Sequence, residues 1–179
     1  MTTCAGCGFV YENFDGAAAP KEFHRRAREL RERLGAALMT AGGLEALRRR
    51  PEPTVWSALE YAGHVRDVLL AQRERLFLAL VEERPAFAPM YRDDRVTLGR
   101  YNDEDPATTG TEAVLAADLL GRAFAPLTAE QWRRPMLYGS PEPAEHDLIW
   151  LARHTVHECR HHLGDVDAAL AAAGFTSAS

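Results

Sequence analysis

The longest regular feature of this chain is an apolar stripe. Leu59, Ala62, Val65, Leu69, Leu76 and Leu80 recur at spacings of three, four and seven over residues 57–83. At 3.6 residues per turn such a stripe gathers on one helical face, which stays in contact with water unless other helices cover it. The rest of the chain supplies them. Phe23, Ala27, Leu30, Leu34, Ala37 and Leu38 mark a helix over about 20–41, with Pro20 near its first turn and Gly42-Gly43 after it. A third helix is predicted over about 111–124, continuing through Pro126 into a short turn at 128–132, and a fourth over about 144–173, ended by Gly174. No segment alternates as a half-buried strand does. Residues 84–111 hold three prolines, two glycines and no sustained period, so they are predicted as a long surface loop. The expected fold is all-α, an antiparallel four-helix bundle over residues 20–174, with an arm at 1–19 and a disordered tail at 175–179.

At 179 residues the chain suits one domain that buries its own core. A formal charge of -5, with no concentrated basic face, argues against a nucleic-acid partner. Three cysteines, Cys4, Cys7 and Cys159, make no disulfide framework. No apolar run reaches the length of a membrane span, and no basic region leads into an apolar core at the N-terminus, so no membrane partner and a cytoplasmic location are expected.

Chemistry concentrates near the C-terminus. Five of the seven histidines, His146, His154, His157, His161 and His162, fall within seventeen residues. On a helix, His157 and His161 stack about 6 Å apart on one face and can converge on one ion. The string His157-Glu158-Cys159-Arg160-His161, extended by Gly164 and Asp167, resembles the zinc site of metzincin proteases, in which the glutamate activates water. The residues after Gly164 are strong helix formers and no methionine follows Met136, so neither the sharp turn nor the methionine turn of those proteases can form. A di-iron bundle needs a second Glu-x-x-His, whereas Glu60 and His64 are four apart. A third imidazole is available from the second helix, where His64 sits among core-facing residues and shares a face with Glu60 and Asp67. His162 competes with His161 for the remaining place, and the four-residue spacing from His157 favours His161. Glu158 is a candidate base, Asp67 a candidate partner of an imidazole, and His154 a rim or core residue. In the long loop, Tyr91, Arg92, Arg95, Tyr101 and Asn102 are candidates to cap the site and hold an anionic group.

The N-terminus carries a second signal. Cys4-Ala-Gly-Cys7-Gly8 has the form of a zinc knuckle, two thiolates on a tight turn with a glycine free to take positive φ. A structural zinc needs two further ligands, for which His24 or a second chain is available.

Trp56-Ser-x-x-Glu60-x-x-x-His64-x-x-Asp67 on the second helix, followed by His157-x-x-x-His161 on the fourth, resembles the DinB/YfiT-like superfamily, relatives of mycothiol-dependent maleylpyruvate isomerases and bacillithiol transferases. The resemblance spans about 20–173 and implies a divalent ion, zinc, nickel, iron or manganese, held by His64, His157 and His161. It also implies a thiol cofactor of the mycothiol kind and a small electrophilic substrate; a homodimer is expected because helical bundles often pair. Many relatives continue Arg-Gly-Gln after the last histidine, where this chain has His162-Leu-Gly. The implied activity is thiol transfer or isomerisation, with metal-dependent hydrolysis and a non-catalytic metal-binding bundle as alternatives.

Overall fold

The computed structural model describes residues 1–139 and 141–175. Four long helices form the body: α1 (Ala19–Leu38), α3 (Ala58–Val81), α5 (Pro106–Phe124) and α6 (Leu148–Ala172). Two short helices, α2 (Gly43–Arg48) and α4 (Arg92–Leu98), lie between them, and one hairpin, β1 (Pro135–Tyr138) with β2 (Ala144–Asp147), precedes α6. The all-α four-helix bundle is what the chain forms.

Local chemistry sets the helix starts. Pro20 occupies the first turn of α1. Ser57 caps α3, accepting from the Glu60 N–H while the Glu60 carboxylate accepts from the Ser57 N–H, and Arg50 clamps the same carboxylate at 2.7 and 2.8 Å. Ser57 and Glu60 of the family-like motif therefore build the helix start, not a ligand set. Asp105 and Asp147 cap α5 and α6, and Gly174 leaves α6 with a φ of 82°.

The helices pack as a square with an uncommon order. α1 lies against α5 and α6, and α3 against the same two, so the first two long helices stand diagonally. Phe23, Leu30, Leu59, Leu69, Leu120 and Leu151 are fully buried between them. Each such side chain contributes about 1.5–3 kcal/mol of hydrophobic stabilisation. Gly110 permits the α1–α5 approach, since a Cβ there would lie 3.1 Å from the Arg31 Cα.

Several expectations are corrected. Residues 84–111 are not one loop: α4 and a 3-10 turn at Tyr101–Asp103 fold within them, and α5 starts at Pro106 behind its Asp105 cap. Arg66 holds the segment to α3, 2.7 Å from Glu104 and 2.8 Å from Glu112, while the buried Tyr101 donates its hydroxyl to Asp67. α6 begins at Leu148 because residues 144–147 pair with 135–138, Met136 opposite His146. Gly164 lies inside α6, exposed and with open space around it, and makes no sharp turn. Phe175, at the head of the expected tail, packs on the core, and residues 176–179 lie outside the described residues. No described helix is long and apolar enough to cross a membrane.

Candidate metal centre

α6 carries two pairs of potential ligands at helical spacing. His157 and His161 form one, and Glu158 and His162 form the other, rotated by one residue, about 100°, around the axis. Each pair meets a different partner. His64 on α3 joins Glu158 and His162, whereas Cys4 and Cys7 on the N-terminal arm join His157 and His161, the donor atoms of each set lying within 4.8 Å of one another. The expected trio of His64, His157 and His161 therefore does not converge: its members divide between two clusters. The physical reason is the helix rotation, because the stripe of α6 that faces α3 is the one bearing Glu158 and His162.

The inner cluster is buried between α3 and α6. His64 is 3% exposed and its Nδ1 is buried without a hydrogen-bond partner. Burial pushes its pKa down to about 4, so the imidazole is neutral and able to ligate. Its ring meets that of His162 edge-on at 4.8 Å, and Trp56 and Tyr61 close the sides. His162 Nδ1 lies 2.7 Å from Asp165 Oδ2, while Nε2 faces Glu158 Oε2 at 3.5 Å. A carboxylate on the far nitrogen fixes the ring and leaves Nε2 for an ion. Burial opposes a proton on His162, yet hydrogen bonds to Asp165 and Glu158 outweigh it and raise the pKa to about 9. Burial likewise opposes charge on Glu158, but His157, His162 and His154 hold it well below the usual carboxylate range. The residues fit a divalent ion: an unpartnered buried nitrogen, an ionised carboxylate and a pre-oriented imidazole converge on one point. Once an ion displaces the proton from His162, two neutral imidazoles and one carboxylate are the donors of open zinc and non-haem iron sites alike, and they leave a dipositive ion one net positive charge, not the two that three histidines would leave.

A cleft of about 540 Å³ opens above, with His64 and Glu158 on its floor. Its walls include Arg75, Phe87, Met90, Tyr91, Arg92 and Tyr138. Tyr91 and Arg92 thus stand where the sequence placed them. Arg95, Tyr101 and Asn102 do not line it: Arg95 reaches the Met90 carbonyl and Asp67, and Asn102 binds Ser57 and the Arg48 carbonyl. Asp67 is held by Arg66 at 2.9 Å and by Tyr101, and orients no imidazole. Asp167 pairs with Arg33 at the surface. His154 is held against the N-terminal arm, its Nδ1 2.9 Å from the Tyr11 hydroxyl and its ring stacked on Trp150. Arg75 and Tyr138 carried no sequence signal, because residues distant in the chain bring them to the cleft.

In the outer cluster the thiols are free and the Cys4 Sγ lies 3.6 Å from His161 Nδ1. The backbone N–H of Cys7 and the nearby His157 lower the Cys4 pKa to about 6, whereas burial raises that of Cys7. His24, the other expected ligand, is taken up by Asp118 at 2.6 Å.

Fold and site together define a four-helix bundle with a candidate metal centre under an open cleft. The chain belongs to the DinB superfamily, whose family model matches residues 19–166. Its structure is similar to that of YfiT from Bacillus subtilis, described as a probable metal-dependent hydrolase with an unusual four-helix bundle topology, at 17% identity and a TM-score of 0.73 over 88% of this chain and 89% of that one. No curated protein matches the chain at the significance required.

Proposed function

We propose that this protein is a metal-dependent enzyme, a hydrolase of a small polar molecule, with His64, Glu158 and His162 as the ligands. The observation that carries the reading is the cleft, which opens onto His64 and Glu158 of the three-donor set and so leaves room for substrate. A divalent ion held there supplies a Lewis acid that polarises a carbonyl and acidifies water or a thiol. The similarity to YfiT, a probable metal-dependent hydrolase, supports the choice.

The chain's own residues have distinct tasks. Asp165 keeps His162 in register. Glu158, expected as a base, acts as a ligand. Tyr138 accepts hydrogen bonds from Gln72 at 3.0 Å and Arg75 at 2.8 Å, so its own O–H remains to donate into the cleft. Burial raises the phenol's pKa, which keeps that proton in place at neutral pH. Arg75 and Arg92 on the cleft wall stand beside Asp93 and Asp94, which suits a polar substrate better than a strongly anionic one.

The test is an assay of activated esters and amides with stripped protein and with protein reloaded with zinc, nickel, iron or manganese, each with and without a low-molecular-weight thiol. Metal-dependent hydrolysis lost in His64→Ala is the expected result. Equal rates in stripped and reloaded protein, or an undiminished rate in reloaded His64→Ala, would remove the hydrolase reading. Consumption of thiol into an adduct, without hydrolysis, would move the same centre to the thiol-transferase reading.

A further inference from the structure

The outer cluster is not used by the proposed activity. We infer that Cys4, Cys7, His157 and His161 form a closed, structural zinc site that fastens the N-terminal arm across α6. Two thiolates and two imidazoles are a complete tetrahedral set for zinc, and their charges cancel that of the ion.

Three features of the chain support four-donor ligation. The first is the turn itself. The Cys4 N–H donates to the Phe9 carbonyl and the Gly8 N–H to the Cys4 carbonyl, both at 2.9 Å, while Thr3 and Val10 bridge as antiparallel strands. Gly8 takes a φ of 67°, and both sulfurs come out on the side facing α6. The second is His157, whose two ring nitrogens are both buried without a hydrogen-bond partner. Its Nδ1 lies 3.1 Å from Glu158 Oε1, outside hydrogen-bonding geometry. A buried imidazole with neither nitrogen satisfied calls for a ligand, and the thiols are the groups within reach. The third is Gly6. A Cβ there would lie 2.7 Å from His161 Cε1, so this position admits no side chain while His161 faces the thiols.

The alternative use of two cysteines three apart is a disulfide. It would leave His157 and His161 without a role and His157 still unsatisfied. With zinc bound, the arm gains a covalent-strength anchor beside contacts already in place, the Tyr11 hydroxyl on His154 and Arg153 Nε on the Phe14 carbonyl. The site also turns His157 toward the thiols, leaving Glu158 to the inner cluster.

The full chain, purified with zinc, decides the matter by X-ray absorption at the zinc edge. A mixed shell, with sulfur near ~2.3 Å and nitrogen near ~2.0 Å, is expected, and it should persist in His64→Ala. Cys4→Ser/Cys7→Ser should abolish the sulfur contribution and lower the zinc content by about one ion per chain, with helical content retained by circular dichroism. Gly6→Ala, which keeps all four donors, should weaken zinc retention against a chelator. Absence of sulfur from the zinc shell of the unaltered protein would overturn the site, and needs no variant to fold. Recovery of the zinc-purified protein two hydrogens lighter than its dithiol form, with Cys4 and Cys7 joined, would overturn it in favour of a redox pair. Because His64→Ala strips the inner cluster alone, failure of one centre is distinguishable from failure of the other.

Discussion

At the scale of single residues, adjacent side chains on α6 serve different partners, and the hydrogen bonds behind them decide what each can do. Asp165 is the clearest case, since its contact with His162 Nδ1 sets which nitrogen faces Glu158 and His64. Asp165→Asn should therefore lower metal affinity at the inner cluster by about 10–100-fold, read by chelator competition, with the fold intact. His154 gives a pH signature. Burial lowers its pKa to about 4 from an ordinary 6.5, so between those values the unfolded chain binds a proton that the folded chain refuses. Stability is then complete above pH 6.5 and declines as pH falls toward 4, by about 3 kcal/mol for this one group. Protonation at Nδ1 would also break the bond from Tyr11. Denaturant melts of the unaltered protein and His154→Gln across pH 4–7 check this: the variant should show the shallower dependence, and parallel curves would refute the assignment.

Elements show what a sequence reveals and what it hides. The long helices were legible because their stripes repeat over several turns, and the structure adds that Ser57 caps α3 with its glutamate three residues on. The β1–β2 hairpin was not, since strands of four residues are too short for alternation to show. Asp105-Pro106 did carry the start of α5, as a cap followed by proline, but the surrounding charge suggested a loop. What orders that segment is long-range: Arg66 is largely buried and, beside its neighbour Asp67, meets Glu104 and Glu112 from two other stretches of chain. Arg66→Met should leave those carboxylates facing one another, destabilising the protein by about 2–3 kcal/mol in denaturant melts. Ser57→Ala, which removes one cap bond and the hydroxyl's bond to Asn102 and leaves the Arg50–Glu60 pair, should cost about 1–2 kcal/mol.

For the molecule as a whole, the two clusters are a matter of ligand counting. His64 needs two further donors, Cys4-x-x-Cys7 needs two, and His157-Glu158-Cys-Arg-His161-His162 holds two pairs at the right spacing. The His157–His161 pair was read from the sequence, whereas Glu158 was read as a base and His162 was set aside; which stripe faces α3, and so which partners each pair meets, depends on how the diagonal bundle is wound. Metal removal separates the clusters energetically. An ion that binds only the folded chain stabilises it by about 4 kcal/mol when present at a thousandfold excess over its dissociation constant. Two ions bound independently should nearly add, since each has its own donors. The unaltered protein should therefore lose more thermal stability on chelation than either His64→Ala or Cys4→Ser/Cys7→Ser does. In Cys4→Ser/Cys7→Ser the remaining loss reports the inner cluster, and limited proteolysis should already cut the arm at residues 1–18 without added chelator. In His64→Ala the arm should stay protected until the zinc is withdrawn. A chelation loss equal in all three proteins would mean that the ions do not hold the fold through these ligands, and an arm cut equally with and without zinc would mean that the outer cluster does not tether it.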